Sequence, residues 1–377
     1  MANERIYFDN AATTSIDPEV LDAMMPYFTD KFGNPSSIYS YGRETRMAVE
    51  AARKLVGRIL HAHPAEIFFT SGGTESSNTA IMAAIRDLGC RHIITSPIEH
   101  HAVLHTVHHL QHTGSITVDY VQLLPDGHID LEDLDRLLSN APAKTLVTLM
   151  HANNEIGNLL DLHAAGNICK KYNAIFHSDT VQTVGHFPFD LRNTPVHFIT
   201  GSAHKFHGPK GVGILYINEN VQIQPYIHGG AQERNMRAGT ENIYGIVGFA
   251  RALELADMNF EADSKHIAGI KKYLHDQLLE KIPGVSFNGD PFGSSLYTVL
   301  SVNFPRTERS EMILFNLDIN HICASGGSAC SSGAEAGSHV IRAVNNDPGK
   351  VTVRFSFCKH NSRQEVDSLI EKLLTLI

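Results

Sequence analysis

A chain of 377 residues with 42% hydrophobic and 19% charged content is long enough to bury the core of one large domain and of a smaller one beside it. A formal net charge of −9 and a pI near 6.2 give no electrostatic reason for nucleic acid or an anionic membrane to be a main partner, so a small substrate is expected. No apolar run approaches the roughly 18 residues of a membrane span, and the start MANERIYFDNAATT lacks the basic and apolar regions of a signal peptide, which makes the cytoplasm the expected location.

Short apolar runs then alternate with helical patterns. EIFFT (66–70) reads as a buried strand, and after the turn TSGG residues 74–88 carry helical periodicity. RHIIT (91–95), KTLVTLM (144–150), NAIFHSD (173–179), VHFITG (196–201) and GVGILYI (211–217) read as further strands, with a helix over 161–172 among them. Strands separated by helices predict an α/β domain with a mostly parallel sheet. A charged stretch around 256–266 reads as a linker. Past it, a charged helical segment (261–282), the runs VSFNG, YTVLSVNF, ICASGG and VTVRFSF, and the closing helix RQEVDSLIEKLLTLI predict a smaller α+β domain.

Several motifs fall on the joints of this frame. In FFTSGGTESSNTAI, Ser71, Gly72, Gly73 and Thr74 join a strand to a helix, where free backbone N–H groups and the positive helix end favour a phosphate. The Lys of G-x-x-x-x-G-K-[ST] is absent, so nucleotide hydrolysis has no support, and glycines there serve equally well for the turn alone. In HSDTVQTVG, Asp179 follows directly on a strand, with Gln182 three residues on. A carboxylate at the carboxyl end of a parallel strand points to the crevice where such sheets bind ligands; as a helix N-cap it would have no such role. MHANNEIG brings Asn153, Asn154 and Glu155 to the same edge, either as ligand groups or as ordinary loop polarity.

GSAHKFHGPKGVG (201–213) sets Lys205 after a strand, among glycines and beside Ser202 and His204. A lone loop lysine is usually a solvated charge. Beside a phosphate loop and a strand-end carboxylate it completes what pyridoxal phosphate requires: an anchor for the phosphate, an anion for the ring nitrogen and an amine for the aldehyde. The five cysteines (Cys90, Cys169, Cys323, Cys330 and Cys358) are an odd number without C-x-x-C spacing, so a disulfide framework is not expected and a special cysteine would act as a thiol.

Taken in order, YFDNAATT (7–14), FGNPSSIYSYGR (32–43), FTSGGTES (69–76), IEHHAVL (98–104), MHANNEIG (150–157), HSDTVQTVG (177–185), GSAHKFHGPKGVG (201–213), GGAQERNMRAGTENI (229–243), SGGSACSSG (325–333) and VRFSF (353–357) run from end to end of the chain. In these the chain resembles the cysteine desulfurases of the nitrogen-fixation and iron–sulfur-cluster-assembly branch, class V aminotransferase-like enzymes with the type I pyridoxal-phosphate fold. The resemblance implies an α/β large domain over 15–258 that binds the cofactor and a small α+β domain made of 1–14 and 259–377. It implies that Lys205 carries the cofactor covalently and moves the substrate's α-proton, that Asp179 pairs with the ring nitrogen, and that Gln182 bonds the phenolic oxygen. Gly73, Thr74, Ser202 and His204 would hold the phosphate, and His100 would stack on the ring and shuttle protons. Arg354 would bind the carboxylate of L-cysteine, with Asn154 helping near ring and carboxylate. Thr240 would reach the phosphate of a neighbouring subunit, which implies a homodimer with shared sites. Cys330 would attack the substrate sulfur, giving alanine and a persulfide passed on to an acceptor protein such as an iron–sulfur cluster scaffold.

Three features depart from the family pattern. Tyr39 stands where many relatives have His, Cys358 follows RFSF where Gly is common, and Ala-Gly at 336–337 replaces a common Glu-Pro. Other readings compete. A selenocysteine lyase or a β-eliminating lyase would use the same fold, and Cys330 argues against simple elimination. His101, His105 and His109 recur at i, i+4 spacing in EHHAVLHTVHHLQHTG and would align on one helix face, which offers zinc binding as a reading from another class; no H-E-x-x-H signature accompanies them. A non-catalytic sulfur-transfer scaffold is disfavoured because Lys205, Asp179, His100 and Cys330 are all intact.

Overall fold

The apolar runs of the first half become strands because both their faces are covered: IFFT, HIIT and TLVT are buried at every position. The computed structural model describes residues 5–114, 116–326, 337–345 and 347–377. Among the described residues the large sheet has seven strands, in the spatial order Ile67–Thr70, Gly213–Ile217, Phe198–Ser202, Ile175–Asp179, Thr145–Thr148, His92–Thr95 and Thr117–Tyr120. Gly213–Ile217 runs antiparallel to both neighbours, and the remaining pairs are parallel. Thr117–Tyr120 is absent from the sequence expectation. It is one of the two edge strands and, unlike Ile67–Thr70 at the other edge, is largely exposed, so it lacks the apolar run that marks the others.

A smaller antiparallel sheet joins Lys350–Ser356, Val299–Pro305 and Ser286–Phe287, and Ile6–Tyr7 pairs in parallel with Ile322–Cys323. One core packs the helix Ser40–Ile59 and the large sheet against buried residues that run to Leu255. A second gathers Phe8, residues from Ile267 onward, the smaller sheet and the C-terminal helix Arg363–Leu376.

The expected linker over 256–266 is a correction: those residues lie inside one continuous helix, Ile243–Lys281. The stretch DMNFEADSKHI contains no Gly or Pro to break a helix. The helix buries Ile246, Phe249 and Leu253 in the first core and Ile270, Leu274 and Leu278 in the second. Its middle is charged and at most half-buried, with Phe260 against Phe187 and His266 on the Asn361 carbonyl, which is why it reads as a linker in one dimension. Among the described residues no helix is long and apolar enough to cross a membrane.

Candidate active site

The parallel strands deliver their following loops to one edge of the sheet. A cavity of about 260 Å³ opens there, lined by Gly73, Thr74, His100, Asn154, Asp179, Gln182, Ser202, His204, Lys205 and Arg354. The structure therefore brings together residues that lie as far apart in sequence as Gly73 and Arg354. Thr240 does not line this cavity and is exposed. Cys330 lies outside the described residues, as do the SSGAEA residues that follow it.

At one end of the cavity the helix Gly73–Arg86 starts from Gly72, which has φ +153° and makes no side-chain cap. Helices Leu131–Ser139, Leu162–Lys171 and Arg363–Leu376 are instead capped by Asp130, Asp161 and Ser362. An uncapped first turn leaves N–H donors for an anion. A Cβ on Gly73 would sit 2.4 Å from Val181 Cγ2, so glycine lets this helix start press against the turn that follows Asp179. Ser202 is buried beside it, and His204 bonds Thr13 Oγ1 through Nδ1 at 3.2 Å. Burial, helped by Lys205 and Lys210, pulls the His204 imidazole down to about 4, so it is neutral near pH 7.

Asp179 ends its strand and is buried. Its Oδ1 accepts from the Val181 N–H at 3.0 Å and the Thr200 hydroxyl at 3.2 Å; both bonds fall on one oxygen. No helix starts at this position, so the N-cap reading does not apply. Lys205 follows the strand Phe198–Ser202 in a short 3₁₀ turn, and its Nζ donates to the carbonyls of Ala11 at 2.6 Å and Ala12 at 2.9 Å. Gln182 Nε2 donates to the same Ala11 carbonyl at 3.0 Å. The N-terminal segment thus forms a wall of the site.

Arg354 is only 1% exposed. Nη1 donates to the Asn154 carbonyl at 2.9 Å and Nη2 to Asp9 Oδ1 at 2.7 Å, while Nε is buried with no partner among the described residues. A buried guanidinium with an orphan N–H is poised for an anionic ligand. His100 caps the helix His101–His112, its Nδ1 accepting from the Ala102 N–H at 3.1 Å. Burial holds its imidazolium below the usual range, against an opposing pull from Asp179 and with a further push from Lys205.

Sequence reasoning missed Glu99 and His339 and gave Glu155 no particular role. Glu99 is buried, accepts from Ser96 Oγ at 3.0 Å and the Met150 N–H at 2.8 Å, and burial pushes its carboxyl up to about 8. It ties the loop before His100 to the loop before Asn154. Glu155 is buried and accepts from Ser338 Oγ at 2.5 Å, and burial raises its pKa as well. Both acids sit in quoted motifs, and only burial and partners distant in sequence, Met150 for Glu99 and Ser338 for Glu155, distinguish them from solvated loop charges. Asn153 serves its loop, since its side chain bonds the Ile98 carbonyl and the N–H groups of Glu155 and Ile156.

His101, His105 and His109 do share the helix His101–His112, with the first two rings 4.7 Å apart. Among the described residues no group of three or more His, Cys, Asp or Glu is arranged to hold a metal ion. Burial raises the thiol pKa of Cys90, Cys169 and Cys358. Cys358 lines a small cavity of about 40 Å³ on which Lys205 also borders, and Tyr39 is exposed at the start of the helix Ser40–Ile59.

The donor set fits an aldehyde cofactor that carries a phosphate: an uncapped helix start with Thr74, Ser202 and neutral His204 for the phosphate, Asp179 for a ring nitrogen, and Lys205 for the aldehyde. The chain matches the Aminotransferase class-V family over residues 6–369. It is 41% identical over 382 residues to the protein named cysteine desulfurase IscS of Dictyoglomus turgidum, covering 98% of this chain and 96% of that one. It is 42% identical over 375 residues to a cysteine desulfurase of Trichormus azollae, covering 99% and 92%. A solved structure of a NifS-like protein superposes with a TM-score of 0.90 at 39% identity over 99% of each chain. The apo structure of the cysteine desulfurase from Thermococcus onnurineus NA1 does so with a TM-score of 0.88 at 26% identity, over 100% of this chain and 95% of the other. Matched over nearly its whole length and built on the same fold, this chain belongs to the aminotransferase class V family.

Proposed function

We propose that this chain is a pyridoxal-phosphate-dependent cysteine desulfurase that converts L-cysteine to L-alanine and leaves the sulfur as a persulfide on Cys330. The observation that carries the reading is the single cavity shared by Lys205, Asp179, the uncapped helix start and Arg354. When bound, pyridoxal phosphate supplies an electron sink for the pair of electrons released at the substrate's α-carbon. The chain's own groups do the rest. Arg354 would take the substrate carboxylate, with Asn154 beside it, and Lys205 would move the α-proton; Asp179 would keep a proton on the ring nitrogen and His100 would pack on the ring. Gly73, Thr74, Ser202 and His204 would hold the phosphate, and Gln182 would bond the phenolic oxygen.

Cys330 makes an S–S bond to the substrate sulfur while the C–S bond breaks, and the carbon that loses sulfur becomes the methyl of alanine. One enzyme thiol and one cysteine give one persulfide and one alanine, so atoms and electrons balance. The persulfide then passes to an acceptor protein such as an iron–sulfur cluster scaffold. The two separate cores support a division into a large domain over 15–258 and a small one made of 1–14 and 259–377.

A homodimer completes the site. Phe28 and Tyr244 stack at 4.2 Å on the surface, near-parallel at 20°, and Phe32, Ile38, Tyr39 and Tyr41 are exposed as well. Such aromatic exposure suits a second copy of the chain, and exposed Thr240 is then free to reach the partner's phosphate. Replacing Cys330 by Ser tests the reading: the protein should keep the yellow colour of bound cofactor and its spectral response to cysteine, and lose alanine and persulfide formation by about 10³-fold or more. Alanine and sulfide released at the parent rate would contradict the persulfide route.

A further inference from the structure

Two histidines lining the cavity have their ring protons placed by backbone groups, whose roles are fixed. The Ala102 N–H can only donate, so Nδ1 of His100 is an acceptor already in use and the ring proton sits on Nε2. The Glu99 carbonyl can only accept, so Nε2 of His339 donates to it at 2.9 Å and the lone pair lies on Nδ1. Neutral His100 must give up its cap before it can take up a proton. His339 keeps a basic nitrogen without breaking its bond to the backbone.

His339 is also firmly seated. Ser338 caps the helix His339–Val344 and donates to the buried carboxyl of Glu155, and the His339 ring lies 4.8 Å from that of His101. The titratable groups that act on it are His100, His101 and Glu155, with Arg354 and Lys205 on the wall of the same cavity.

The reaction calls for such a nitrogen. Two thiols enter with two protons and the persulfide keeps one. We propose that His339 receives the other on Nδ1 and returns it to the carbon that has lost sulfur. One S–H bond breaks with its electron pair left on sulfur. The imidazolium keeps Nε2–H on the Glu99 carbonyl, and the C–S pair takes up the proton as the methyl group forms. A thiol of pKa about 8.5 is only a few per cent ionised near neutrality, so a base at this place raises the reactive fraction. This rests on the desulfurase reading above.

His339→Gln supplies the test, because its amide can still donate to Glu99 but cannot hold a proton. Cysteine should bind with affinity within about threefold of the parent. Single-turnover persulfide formation should fall about 100-fold at pH 7 and recover as the pH rises past the thiol pKa, while proton delivery to carbon stays slow, in line with general acid–base contributions of 10²–10⁴. A Gln variant with the parent's rate and pH profile would reduce His339 to a structural latch and overturn the proposal. The second measurement needs no turnover: nitrogen-15 NMR of cofactor-free parent protein, with histidine labelled, should find His339 protonated at Nε2 and bare at Nδ1, and the opposite tautomer would overturn it. If the parent makes no alanine from cysteine, the desulfurase reading fails instead, and the NMR result still decides the tautomer.

Discussion

The two halves of the cavity are built by different means. In the cofactor half each group follows its own strand within a few residues: Thr74 after Ile67–Thr70, Asp179 at the end of Ile175–Asp179, Lys205 after Phe198–Ser202. In the substrate half Arg354 comes from the smaller sheet and is aimed by Asp9 near the N-terminus and by the Asn154 carbonyl in the loop after Thr145–Thr148. Strand–loop geometry places the groups of the first half, although Lys205 and Gln182 also lean on the Ala11 and Ala12 carbonyls, whereas Arg354 is aimed by long-range contacts alone. The difference implies that chemistry and substrate capture can be damaged separately, except through the two elements that serve both: the N-terminal segment Asp9–Ala12 and the helix Ile243–Lys281 that enters both cores.

That helix gives the largest expected effect. Ala262→Pro falls in its exposed middle and should cost about 3 kcal/mol of stability by denaturant unfolding, because proline removes a helical hydrogen bond. A flexible linker at 256–266 would show almost no change. Arg354→Lys should isolate the substrate half. It should lower kcat/KM for cysteine by about 30–100-fold, the cost of losing a charge-assisted fork at roughly 1.5–3 kcal/mol, while cofactor absorbance stays at the parent level. Loss of absorbance in step with activity would merge the two halves.

Acid should weaken the cofactor half first. Burial pulls His177 on the central strand, and His151 beside it, down to about 4. Unfolded imidazoles take up protons near pH 6.5 while these stay neutral, so the stability they contribute is complete above about 6.5 and is lost as pH falls towards 4. Between pH 7.5 and 5 each imidazole should cost on the order of 2 kcal/mol of unfolding free energy, about 4 for the pair, opposed by Glu99, whose raised carboxyl is favoured by acid; a His177→Gln variant with the parent's full pH difference would mean that this imidazole is not held neutral.

The sequence was most legible where the structure is local. Strand ends, the glycines at 72 and 73, and Lys205 among its glycines could be placed because each motif borders its own strand. The edge strand Thr117–Tyr120 could not, since exposure removes its apolar pattern. Nor could the span through 256–266, where charge hides an uninterrupted helix. Glu99, Glu155 and His339 acquire meaning only from partners more than fifty residues away: Met150, Ser338 and Glu99 respectively. No one-dimensional spacing records those bonds. Arg354 was placed through the family resemblance, and its orphan Nε supplies the physical reason that resemblance lacked.

Mass spectrometry of the purified protein after a brief incubation with cysteine tests the central claim most directly. The peptide containing Cys330 should gain one sulfur atom that a reductant removes, with alanine formed in equal amount in that single turnover. Sulfur found instead on Cys358, or alanine and free sulfide with no modified thiol, would contradict the account.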